Sequence, residues 1–148
     1  MTRFIAFNQR LFGRYAARLL RRSFAGVRLL DPATTGSPPE LPSGPVIVAM
    51  NHASWWDPLV GLLLSQRLGH LFGGRAHAAP MEAGALQRYG FFRWLGFYPV
   101  DRSSRRGLVR FVGESEAILD RPGAALWITP QGRFADPRER PLRVESGV

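Results

Sequence analysis

Hydrophobic positions change their spacing several times along the chain, and each change marks an element. From Thr2 to Leu30, Phe4, Phe7, Leu11, Tyr15 and Leu19 recur every three or four residues, with Arg3, Arg10, Arg14, Arg18, Arg21 and Arg22 between them. That spacing predicts an amphipathic helix. Five prolines lie between Asp31 and Pro45 among glycine, serine and threonine, where neither helix nor strand persists and a linker is expected. Pro45 to Met50 is then a short apolar run rich in branched side chains, the pattern of a buried strand. Similar runs at Leu71 to Ala76, Phe97 to Val100 and Ala124 to Thr129 predict three more.

Helical stretches separate these runs, at Pro58 to Leu68 and Ser104 to Asp120. In the second, Leu108, Phe111, Val112, Ser115, Ile118 and Leu119 trace one face. Strands alternating with helices predict an α/β layer, a mixed sheet flanked by helices and preceded by the amphipathic segment. The expected organisation is a helical, membrane-associating segment over 1–30, a proline-rich linker over 31–44 and a core over 45–148.

A length of 148 residues fits one domain, and 45% apolar with 21% charged residues fits a folded one. No apolar run reaches the roughly 18 residues that argue for a membrane span. All 20 cationic side chains are arginine and stand against 11 acids, so the net charge of +9 favours an anionic partner: phospholipid, nucleic acid or a phosphorylated metabolite. An arginine-rich helix with aromatic residues can lie among the headgroups of an anionic bilayer, or its stripe can pack on the domain; the pattern leaves both open. With no cysteine, disulfides, thiolate zinc sites and an acyl-cysteine intermediate are excluded. Arg10, Arg14 and Arg18 interrupt any apolar leader, so secretion is not expected.

The most informative segment is Asn51-His52-Ala53-Ser54-Trp55-Trp56-Asp57-Pro58, where the first strand should end and a helix begin. Strand ends are where α/β folds place their sites. On one regular helix His52 and Asp57, five apart, would point about 140° away from each other, so the segment must bend for them to meet. Pro58 suggests the bend: it restricts the residue before it and favours the first helical turn, making Asp57 an expected N-cap with His52 in the preceding loop. A carboxylate on one imidazole nitrogen fixes the tautomer and leaves the other free to take a hydroxyl proton. The alternative from spacing alone is a capping Asp57 and an ordinary loop histidine.

This segment resembles the NHxxxxD motif of the lysophosphatidic acid and glycerolipid acyltransferase family, matched by Asn51-His52 through Asp57 without a gap. The stretch from Gly90 to Arg102 is similar to a second family block in length and ending, and Pro130-Gln131-Gly132-Arg133 resembles a third of the form PEGTR. The resemblance implies attack of a lipid hydroxyl on an acyl thioester of coenzyme A or acyl carrier protein, with no covalent acyl-enzyme and no cofactor. It makes His52 the base, Asp57 its orienter, and Arg102, Gln131, Gly132 and Arg133 the substrate-binding residues. It also implies membrane lipids as partners and a peripheral place on the cytoplasmic side of the cell membrane, in phospholipid biosynthesis. Guanidinium groups give charge-assisted phosphate contacts, and glycine lets backbone N–H groups approach an anion.

Two positions depart from that pattern. Gln131 stands where the family has glutamate, and Phe134 where it usually has arginine, with Arg133 one place early. The resemblance implies a 1-acylglycerol 3-phosphate type of lysophospholipid as acceptor, and the two departures open a glycolipid or amino-acid-linked lipid as the alternative. The family continues into further strands beyond Val148, so an incomplete core is expected, and an inactive membrane-binding homologue is the rival outside catalysis. Nucleic-acid binding would need a recognised reader or an aromatic platform on a basic groove, and none is found. Zinc chemistry would need ligand spacing that His52, His70 and His77 lack, and His70 and His77 are expected to face solvent at strand edges. At least one of Trp55 and Trp56 is expected to pack in the core.

Overall fold

A computed structural model of the protein describes residues 2–26, 28, 41–72 and 74–144. The expected linker falls mostly outside these, and so do the last four residues. The elements are α1 (Thr2–Ser23), β1 (Val46–Ala49), α2 (Asp57–Arg67), α3 (Gly69–Phe72), β2 (Ala76–Glu82), α4 (Ala83–Arg88), a 3-10 helix (Gly90–Leu95), β3 (Phe97–Val100), α5 (Arg105–Leu119) and β4 (Ala124–Ile128). No described helix is long and apolar enough to cross a membrane.

The four strands form one sheet in the order β1-β4-β2-β3, and every pairing is parallel where a mixed sheet was expected. Parallel pairing follows from the helical crossovers between strands, which return the chain to the same end of the sheet each time. The strand expected over Leu71 to Ala76 lies further on, at Ala76–Glu82, because Leu71 and Phe72 close the short helix α3 instead. In β2 the pairing with β4 runs only from Ala76 to Ala78, and that with β3 from Ala79 to Glu82. Pro80, which has no N–H to donate, thus falls beyond the stretch paired to β4.

In-register neighbours of a parallel sheet share a face. Val46, Ala125 and His77 are in register, and Val48 with Trp127 two residues on, so these side chains face α2, where a Cβ on Gly61 would lie 3.7 Å from the Trp127 ring. Leu126, Ile128 and Tyr98 face the other way, toward α5, and the Tyr98 hydroxyl lies 2.9 Å from Ser115 Oγ. Ala124, Ala125, Leu126, Leu86 and Leu95 are buried, so the core is the centre of the sheet and the helices around β2. On α5 the expected stripe is only half-buried at Phe111, Ser115, Ile118 and Leu119, while Leu108 and Val112 are exposed.

The helix expected to Leu30 ends at Ser23, with Arg21 and Arg22 in its last turn, where cations oppose the negative end of the helix dipole. Its packed face is Gln9, Gly13, Ala16 and Leu20, a different set from the aromatic stripe. Gln9 is buried, and its Nε2 donates to the carbonyls of His77 (3.0 Å) and Leu95 (2.8 Å). Gln66 Nε2 donates in turn to the Gln9 carbonyl at 2.8 Å, over a position where Gly13 has no side chain to obstruct it. One amide thus joins α1 to β2 and to the 3-10 helix. Replacing it with Gln9→Leu leaves two carbonyls without a donor, and equilibrium urea unfolding should show a loss of about 1–3 kcal/mol; an unchanged midpoint would mean that α1 is not held by this amide.

Candidate active site

All four strand ends on the C-terminal side of the sheet contribute to one cavity of about 720 Å³. The loop after β1 brings His52 and Trp55, β2 ends at Glu82, the turn after β3 brings Arg102, and the loop after β4 brings Gly132, Arg133 and Phe134. Crevices at the carboxyl ends of parallel strands collect loops in this way because each strand there hands over to a crossover.

His52 and Asp57 meet: Nδ1 lies 2.8 Å from Oδ2, with the side chains 26% and 12% exposed. The bend between them is built locally. Asp57 is not the N-cap expected from Pro58; Trp56 occupies that position and Asp57 is the first helical residue. Its carboxylate turns back, accepting the Ser54 N–H at 3.1 Å and the Ser54 hydroxyl at 3.4 Å, while Ser54 Oγ accepts the Trp56 N–H at 3.2 Å. With Nδ1–H donated to the carboxylate, the Nε2 lone pair is left for the cavity that His52 lines.

The peptide groups of His52 are held from the far side of the site. Gln131 is 7% exposed, and its Oε1 accepts the His52 N–H at 2.7 Å, while the His52 carbonyl accepts from Ala135 N–H at 2.9 Å. The Gln131 side chain thus holds the His52 backbone from the loop after β4. Gly132 follows at φ 62°, a left-handed conformation that favours glycine, with its N–H donating to the Thr129 carbonyl at 3.0 Å. Its carbonyl accepts from the Arg102 guanidinium, which joins the loop after β3 to the loop after β4. Arg133 lies 3.5 Å from Glu139 in a half-exposed ion pair.

Three features carried no sequence signal. The Phe134 ring packs on the His52 imidazole at 4.3 Å between centroids, and Trp55 on Phe134 at 5.5 Å. Glu82 lines the cavity while capping α4; hydrogen bonds from the Gly84 and Ala85 N–H groups hold its carboxyl below the usual range. His77, expected to face solvent, is instead half-buried: its Nδ1 accepts from Trp127 Nε1 at 2.9 Å, and burial, assisted by Arg75, pushes its pKa down to about 4. It stays uncharged at neutral pH and forms part of an apolar wall. The side chain of His70 lies outside the described residues. Of the two tryptophans, Trp55 is exposed and Trp56 packs edge-on to Phe24 at 5.1 Å. Among the described residues no three histidine or acidic side chains gather as a metal site.

The family model described as Acyltransferase matches residues 33–148. No curated protein and no solved structure matches the chain.

The Gln131 contact has a measurable consequence. Gln131→Leu removes the acceptor from a part-buried N–H and should lower unfolding free energy by about 1–3 kcal/mol. Gln131→Glu keeps an acceptor oxygen and should lose less. Equal losses in both variants by urea unfolding would assign the residue to packing alone.

Proposed function

The chain belongs to the acyltransferase family, and from that premise we propose that it transfers a fatty acyl group from an acyl thioester to a hydroxyl of a 1-acylglycerol 3-phosphate type of lysophospholipid, in phospholipid biosynthesis. The observation that carries this reading is the 2.8 Å contact of His52 Nδ1 with Asp57 at the rim of a cavity that Arg102 and Gly132 also line. His52 Nε2 takes the proton of the acceptor hydroxyl as its oxygen bonds to the thioester carbonyl carbon. The tetrahedral intermediate then collapses, the C–S bond breaks, and the imidazolium gives its proton to the leaving sulfur, which departs as the thiol and restores neutral His52. Asp57 holds the tautomer and opposes the positive charge that forms on the ring. The products are an ester and a free thiol, of coenzyme A or acyl carrier protein, with no acyl group left on the protein.

The cavity supports a lipid substrate because its walls are largely apolar, with Leu62, Leu95, Phe97 and Trp127 among them. Arg102 at the rim supports an anionic headgroup. A second reading, an acceptor with a neutral polar head, draws on the engagement of Arg133 by Glu139 and of Gln131 by His52. We place the enzyme at the cytoplasmic face of the cell membrane as a peripheral protein. This draws on the exposed stripe of α1, where Phe4, Phe7, Leu11 and Tyr15 face solvent beside arginines.

Steady-state transfer by the full chain tests these roles. His52→Ala should lose about 10²- to 10⁴-fold in turnover, with Asp57→Asn losing less; near-wild-type turnover of His52→Ala refutes the base. Arg102→Ala should weaken the apparent affinity for lysophosphatidic acid by roughly an order of magnitude or more, as the loss of a charge-assisted contact worth about 1.5–3 kcal/mol. Unchanged kinetics on that acceptor would favour the neutral headgroup.

A further inference from the structure

The helix α1 has two faces, and among the described residues only one of them packs on the domain. Gln9, Gly13, Ala16 and Leu20 pack on the domain, while Phe4, Phe7, Leu11 and Tyr15 lie on roughly the opposite side, each more than half exposed. The element beside it repeats this character. The 3-10 helix Gly90–Leu95 is tied to α1 by Gln9, and its Phe91 ring lies 5.6 Å from that of Phe12. Phe91 is 40% and Trp94 61% exposed. Arg93 stands between them, and Arg88 lies over the Tyr89 ring just before.

Charge adds to the likeness of these two segments. Of 11 acidic residues, none falls within 2–26 or within 83–100, whereas those stretches hold six and two arginines. An acid-free surface of exposed aromatics and arginines, assembled from two segments far apart in sequence, is matched by a uniformly negative layer that is polar outside and apolar beneath. Tryptophan and arginine both place apolar bodies below such a layer while their polar ends stay at it.

We infer that the 3-10 helix Gly90–Leu95 is the second half of a docking face whose first half is α1, and that its occupant is the surface of an anionic lipid bilayer. The inference rests on the peripheral-membrane reading above and extends it to an element of the core. The aromatic contacts continue from this face to the site: Tyr89 lies 6.1 Å from Trp55, Trp55 lies 5.5 Å from Phe134, and Phe134 lies 4.3 Å from His52. Docking by both elements sets the cavity mouth beside the headgroups, so an acceptor hydroxyl reaches His52 without leaving the interface.

Flotation of the full chain with vesicles of equimolar phosphatidylglycerol and phosphatidylcholine tests this without requiring turnover. Phe91→Ala/Trp94→Ala should reduce partitioning at least about tenfold, and Arg93→Glu should reduce it and make what remains less sensitive to salt. Phe7→Ser/Leu11→Ser serves as the α1 control. Nitroxide-labelled lipid should quench tryptophan fluorescence in the wild type, with a smaller quenched share in Trp94→Phe. If the α1 variant loses binding while Phe91→Ala/Trp94→Ala and Arg93→Glu float like the wild type, the inference fails and the peripheral-membrane reading stands. If the wild type does not float on anionic vesicles, both fail, and the face belongs to another partner; if it binds phosphatidylcholine alone equally well, the inference fails at its anionic occupant and the peripheral-membrane reading stands.

Discussion

The backbone of His52 is pinned from both sides by the loop that follows β4, through Gln131 to its N–H and through Ala135 to its carbonyl. Much of the site depends on that clamp. Strands β1 and β4 are hydrogen-bonded neighbours, so the two loops leave the sheet side by side, and the clamp continues the pairing past the strand ends. It fixes where the imidazole starts. The turn through Ser54 then fixes where Asp57 meets it, and the Phe134 ring, three residues after Gln131, covers the imidazole face. A loop that held only substrate would be free to move with it, whereas this one also carries the frame of the proposed base.

The same economy of connections explains how distant elements reach the site. Arg102 bonds to the carbonyl of Gly132, so the strand at one edge of the sheet is linked to the loop after the central β4. Gln9 performs the comparable task on the opposite side, joining the N-terminal helix to β2 and to the 3-10 helix. Each link is a single polar side chain meeting backbone groups that the regular structure leaves over, which is where a hydrogen bond matters most to stability.

Where local pattern decides structure, the sequence was legible. Phe97 to Val100 and Ala124 to Thr129 are branched or aromatic runs bounded by turn residues, and they form β3 and β4 within one residue of the expected bounds. The strand β2 was not legible as such, because Ala76, His77, Ala78, Ala79 and Pro80 carry little strand propensity; the neighbouring strands impose the conformation. His52 and Asp57 could be paired from the motif, but the cap position could not, since it depends on Ser54 drawing the carboxylate backward. The place of Gln131 against the His52 backbone, and of His77 against Trp127, depends on contacts 79 and 50 residues apart, beyond any local spacing. On α1 the pattern showed an aromatic stripe but could not show that a different face, built on Gln9, Gly13 and Ala16, packs on the domain.

In the proposed reaction the acyl group passes directly from donor to acceptor, with His52 moving a proton and the protein never carrying the acyl group. Rapid-quench measurement of thiol release from an acyl thioester, with the full chain in excess over donor, addresses this most directly. Thiol should appear only when a lysophospholipid acceptor is present, in step with the diacyl product, and intact-mass analysis of the protein should show no added acyl group at any time. A burst of thiol without acceptor, matched by a protein species heavier by one acyl group, would contradict it.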